Sequence, residues 1–170
     1  MRKGFYYASE AIAELNQQGF SDIEYWLVGQ VDPTVQPAVD RLTAVAPNVR
    51  VLGHIPHYEL ARCISQCHVG VFPTIEEGFA NAVPQTMACG VPVVATVNSG
   101  AGDVVSDGIE GFVVPIMNSA AMAEKVVWCH ENRHRLAEMG DAAMRRVRSR
   151  TWDDIAADMV QAFDQHALAG

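Results

Sequence analysis

The sequence predicts a doubly wound α/β domain, a mostly parallel sheet with helices on both faces. Three observations carry that prediction. Short apolar runs of strand length alternate with segments of helical period along the chain. Several of the runs, "VPVVATV" (91–97) and "GFVVPI" (111–116) among them, are near-continuous apolar stretches, the pattern of strands covered on both faces. No internal repeat and no low-complexity segment breaks the alternation. At 170 residues the chain is one domain, residues 1–170, long enough to bury a substantial core.

The elements follow in order. "GFYYASEAIAELNQQG" has Phe5, Ala8, Ile12 and Leu15 at helical spacing and stops at Gly19. "IEYWLVG" reads as a strand, "QPAVDRLTAVAP" as a helix bounded by prolines, and "VRVLGHI" as the next strand. "HYELARCISQC" is helical and "HVGVFPT" is a strand. A helix runs from about Ala80 to Cys89, followed by the strand "VPVVATV", a short helical turn in "GDVVSDG" and the strand "GFVVPI". Three helices close the chain, over about Ala120–His130, Arg133–Arg148 and Trp152–Ala167, the last opened by a capping-box match between Thr151 and Asp154.

Composition excludes several classes of function. A formal charge of -8 and a pI near 5.1 argue against a nucleic-acid or acidic-membrane surface. No apolar run approaches the roughly 18 residues of a membrane span, and "MRKGFYYASE" lacks the apolar segment of a signal peptide. Cys63, Cys67, Cys89 and Cys129 sit in apolar segments as small buried thiols, the usage of a cytosolic chain. "CISQC" has C-x3-C spacing with no second pair, so it does not read as a zinc ribbon.

Other matches are read down for physical reasons. "HENRH" (130–134) has the letters of a zinc-protease helix, but no third ligand follows, and it reads as a solvated helix end. His54 and His57 flank a proline in a surface turn. "SGAG" (99–102) has no third glycine for a dinucleotide fingerprint, and the chain contains no P-loop. Arg145, Arg146, Arg148 and Arg150 read as a solvated helix face.

The chemistry concentrates in "EEGFANAVPQ" (76–85), where a buried strand gives way to a helix. In such a fold ligands sit beyond the C-terminal ends of the strands. Gly78 lets the backbone come close to a ligand. The N–H groups of Phe79, Ala80, Asn81 and Ala82 would point at it from the positive end of the helix. Pro84 falls in the first turn, where a missing N–H costs least, and the amide of Gln85 lies one to two turns in. An anion carrying hydroxyls fits this loop, with phosphate on the amides and hydroxyls on Glu77 and Gln85. The structural alternative is a T-x-x-E capping box from Thr74 to Glu77.

"VFPTIEEGFANAVPQTMACGVPVVATVNSGAGDVVSDGIEGFVVP" resembles the donor-binding domain of GT-B glycosyltransferases, in particular the retaining enzymes of family 4. The resemblance extends more weakly from "RKGF" to "TWDDIAADMVQAF". It implies the Rossmann-like half of a GT-B fold that binds a nucleotide-diphosphate sugar, with polysaccharide biosynthesis as the setting. Glu77 matches the first of two family glutamates, which bonds hydroxyls of the donor sugar. Gln85 stands where the second would hold the ribose, and its amide accepts one hydrogen bond where a carboxylate accepts two. Lys3 matches the lysine that neutralises the diphosphate, and the amides of Phe79 to Ala82 would share that charge. Ile55, in "LGHIP", would face the base. Fixed positive groups of this kind stabilise a departing diphosphate without a metal.

The resemblance also implies a first strand and a signature arginine ahead of "RKG", and an acceptor-binding domain before them. The chain matches neither, so the reading is the donor half of a glycosyltransferase with the first strand missing, inactive by itself. That loss would leave unpaired backbone groups on neighbouring strands. A saccharide or lipid-linked acceptor would bind through the missing domain. The implied location is cytoplasmic, or peripheral at the inner membrane face. Two alternatives stand beside this reading: a non-catalytic, degenerate nucleotide-binding fragment, and a nucleotide-sugar epimerase of the same architecture.

Overall fold

The computed structural model describes residues 2–149 together with 151, 153, 154, 156, 157, 160 and 161. Most of the helix expected over Trp152–Ala167, and Arg150 of the basic run, lie outside the described residues. The order is α1 (Phe5–Gln17), β1 (Tyr25–Val28), α2 (Gln36–Val45), β2 (Val49–Gly53), α3 (His57–Ile64), β3 (Gly70–Phe72), α4 (Ala82–Ala88) and β4 (Val93–Thr96). Two 3-10 turns follow, Val97–Ser99 and Ala101–Asp103, then β5 (Gly111–Val114), α5 (Ser119–Glu131) and α6 (Arg133–Arg148). Each predicted strand and helix within the described residues is present, because each rests on a local period that the chain keeps.

All strand pairs are parallel, but the ladder is interrupted. β1 pairs with β2, from Tyr25↔Val49 to Val28↔Gly53, and β3, β4 and β5 form a separate three-stranded sheet. The single sheet predicted from the alternation is therefore two. β1 is bonded on one edge and β3 on one edge among the described residues, and both strands are only half-buried, whereas every residue of β4 is buried.

β4 shows why the domain is doubly wound. Val94 packs into a cluster with Ala11 and Leu15 of α1 and Met122, Val126 and Cys129 of α5. Its neighbours Val93 and Ala95 point the other way, into a cluster with Val83 and Met87 of α4, Ala101 and Ala143 of α6. Successive side chains on a strand alternate faces, so apolar residues at three consecutive positions need helices on both sides. A third cluster joins Ile12 of α1 to Leu42, Ala46 and Val49 beside the two-stranded sheet.

Three capping and boundary readings resolve as follows. Thr151 and Asp154 do form a reciprocal capping box: the Thr151 hydroxyl accepts from the Asp154 N–H at 3.2 Å, and Asp154 accepts from the Thr151 N–H at 2.6 Å. Thr74 and Glu77 do not: no helix starts there, Thr74 is buried, and α4 begins only at Ala82. "HENRH" is split between two helices, α5 ending at Glu131 and α6 starting at Arg133, so the single helical face that its letters would need does not exist. Among the described residues no helix is long and apolar enough to cross a membrane.

Candidate functional site

The C-terminal end of β3 is where the chain start, the Ile75–Asn81 loop and the turn after β4 meet. Gly4 makes this possible. Its φ is +68°, and a Cβ built there would lie 1.7 Å from the Pro73 carbonyl oxygen, so a glycine alone lets the start of α1 press onto the end of β3. Two residues earlier the Arg2 carbonyl accepts the Ile75 N–H at 2.8 Å. These two backbone contacts lay residues 2–4 along residues 73–75 and put Lys3 between them.

Lys3 Nζ consequently reaches Glu77 Oε1 at 2.6 Å, across 74 positions of sequence. The lysine side chain is 74% exposed and the glutamate 26%. A pair this open contributes little to stability, on the order of 0–1 kcal/mol, so the pair does not hold the loop; the backbone contacts do. The second carboxylate oxygen, Glu77 Oε2, is shielded from solvent and has no hydrogen-bond partner among the described residues. A shielded oxygen with no donor carries a desolvation cost that a hydroxyl or amide donor would offset.

The loop is stitched to the turn after β4. Thr96 donates its hydroxyl to the Thr74 carbonyl, and Asn98 Nδ2 donates to the Ile75 carbonyl at 3.0 Å. The Glu77 N–H donates to the Asn98 carbonyl at 3.1 Å, and the Ala80 N–H to the Ser99 carbonyl at 2.9 Å. Gly100, with φ +74°, completes the contact: a Cβ there would come within 2.8 Å of the Phe79 ring and 3.0 Å of the Gly78 carbonyl.

Ala80 departs from expectation. Its N–H is spent on Ser99 and the residue is 4% exposed, so it is a core anchor and not a ligand donor. The N–H groups of Gly78, Phe79, Asn81 and Ala82 have no acceptor among the described residues. Gly78 faces open space, with nothing within 4 Å of a Cβ built on it. Gln85 lies exposed on α4, and Ile55 is half-buried in the loop from β2 to α3; no hydrogen bond among the described residues ties either to Lys3 or Glu77. Sequence reasoning overlooked Asn98 and Ser99. The signal was a run of small polar residues directly after a buried apolar strand, where the preceding βα loop must be held.

The decoy residues stay apart from this site. His130 faces Asp22 and Arg133, and His54 and His57 are exposed on either side of Pro56, which caps α3. Among the described residues, no group of three His, Cys, Asp or Glu side chains is placed to hold a metal.

Residues 1–132 match the protein family described as glycosyl transferases group 1. The chain is 27% identical over 173 residues to a phosphatidyl-myo-inositol mannosyltransferase of Mycobacterium leprae, a match covering 99% of this chain and 45% of that protein. A solved structure of sucrose-phosphate synthase from Thermosynechococcus elongatus resembles it with a TM-score of 0.78 at 26% identity, over 99% of this chain and 43% of that one. HepE of Anabaena, solved in complex with UDP-glucose, shares the fold with a TM-score of 0.78 at 21% identity, over 98% and 46% of the two chains. The chain spans less than half the length of these proteins.

Proposed function

The chain belongs to the group 1 glycosyltransferases, and from that premise we propose that it binds the donor, a nucleotide-diphosphate sugar, for transfer of the glycosyl group to an acceptor. The observation that carries this reading is the meeting of Lys3 and Glu77 at 2.6 Å in a loop where four N–H groups have no acceptor among the described residues. In this reading Lys3 turns to the diphosphate. Glu77, with its unpartnered Oε2, accepts hydroxyls of the sugar.

The chemistry is that of a leaving group. As the bond from sugar to phosphate breaks, negative charge grows on the diphosphate. A lysine and fixed amide donors aimed at that charge lower the barrier. Lys3 and the N–H groups of Gly78, Phe79, Asn81 and Ala82 are the donors in question, and the proposal is metal-independent. Gln85 faces the ribose and Ile55 the base. Similar proteins include a GDP-mannose-dependent mannosyltransferase and one solved with UDP-glucose, so UDP and GDP are both candidates here. The acceptor, a saccharide or lipid-linked sugar, is assigned to the part of the relatives that this chain does not match. The setting we propose is polysaccharide synthesis in the cytoplasm or at the inner membrane face.

Calorimetric titration of the chain with UDP, GDP and ADP tests the reading. Saturable one-to-one binding of one diphosphate is expected. A chain shown to be folded that binds none of the three overturns it.

A further inference from the structure

We propose that Asn98 is a positioning residue that holds Lys3 and Glu77 in register with each other. The inference rests on the reading of that pair as donor-facing. It comes from the backbone hydrogen bonds of Ile75 and Glu77.

β3 and β4 pair in register up to Phe72↔Ala95. Past the strand ends the same spacing sets Ile75 beside Asn98, where both chains have left the ladder. Asn98 takes over from the ladder with both of its polar ends: its side-chain Nδ2 donates to the Ile75 carbonyl at 3.0 Å, and its own carbonyl accepts the Glu77 N–H at 3.1 Å. Ile75 is thereby held by both of its backbone groups, because its N–H goes to the Arg2 carbonyl at 2.8 Å. Arg2 carries Lys3, and Asn98 carries Glu77. A single asparagine thus links the backbone that presents the cation to the backbone that presents the anion.

The other two stitches, from Thr96 and Ser99, come from residues 1% exposed and belong to the core. Asn98 is exposed, so its side chain contributes orientation more than burial. Directly after Glu77 comes Gly78, with open space around it and no side chain to limit its backbone. Without the amide of Asn98, the backbone of residues 75–78 keeps no side-chain hydrogen bond among the described residues.

Two measurements on the whole chain test this. In Asn98→Ala, amide hydrogen exchange at Ile75 and Glu77 is expected to speed up about tenfold, while Val93 and Val94 keep their protection. The second measurement is the affinity for UDP-glucose relative to UDP, and for GDP-mannose relative to GDP. That ratio is expected to fall about three- to tenfold for whichever nucleotide binds, with the bare diphosphate changed less than about twofold. Asn98→Asp, of equal shape but with no N–H to give, should behave like Asn98→Ala. Unchanged exchange at Ile75 and Glu77, an Asn98→Asp chain that matches the wild type, or an equal loss for the sugar nucleotide and the bare diphosphate each overturns the proposal. If the wild-type chain binds no nucleotide, the donor reading fails, and the exchange data still decide whether Asn98 clamps the loop.

Discussion

Two glycines at the site do different work. Gly4 is needed for the fold, since its positive φ and the 1.7 Å approach of a Cβ to the Pro73 carbonyl leave no room for a side chain. Gly4→Ala should cost about 2–4 kcal/mol in urea denaturation and draw Lys3 away from Glu77. Gly78 faces open space, so Gly78→Ala should leave stability within about 0.5 kcal/mol while weakening nucleotide binding through the added methyl. Equal destabilisation by the two substitutions would contradict this division. The sequence marked Gly78 because a glycine after an acid, at the end of an apolar strand, makes little sense as a helix start. It did not mark Gly4, whose need arises from a residue 69 positions away. Ala80 was misread for the same reason: whether its N–H points outward depends on Ser99, and no local pattern records that.

At the scale of elements, helix and strand periods were readable because they are local, and boundaries agreed to within about two residues except at two places. α3, expected to reach Cys67, ends at Ile64, and the turn expected over 102–108 is helical only over Ala101–Asp103. α5 is the informative case. Its Cys129 is buried in the cluster shared with α1, and burial pushes the thiol up to about 11 from an ordinary 9.0. The folded pKa is raised, so the unfolded chain loses its proton first as the pH climbs. Stability from this group is intact below about pH 9 and declines between about pH 9 and pH 11. Tyr25, also pushed up by burial and then by Asp22, adds to the decline from about pH 10. Urea midpoints measured across that range should fall for the wild type and fall less steeply for Cys129→Ala. Parallel curves for the two proteins would mean that the thiol is not sealed in α5 as described.

At the scale of the whole molecule, layer order was legible and strand pairing was not. A near-continuous apolar run says that both faces of a strand are covered, which β4 obeys with Val94 on one side and Val93 and Ala95 on the other. It says nothing of which edges bond, and among the described residues the sheet is in fact two, with β1 and β3 each bonded on one edge. The expectation of unpaired edges came from the resemblance and from no periodicity. The site itself is a property of the whole chain, because it needs residues 2–4, 73–81 and 96–100 in one place. Net charge works against the proposed ligand, at -8 overall, so an anion must be held by local groups: one lysine and a set of amides.

That makes the division of labour between Lys3 and Glu77 the central claim, and titration of Lys3→Ala and Glu77→Ala with a nucleotide diphosphate and its sugar nucleotide addresses it directly. Lys3→Ala should weaken binding of the bare diphosphate about tenfold or more, and Glu77→Ala should spare the diphosphate while removing the extra affinity contributed by the sugar. Lys3→Ala with undiminished diphosphate binding, or Glu77→Ala weakening both ligands alike, would contradict it.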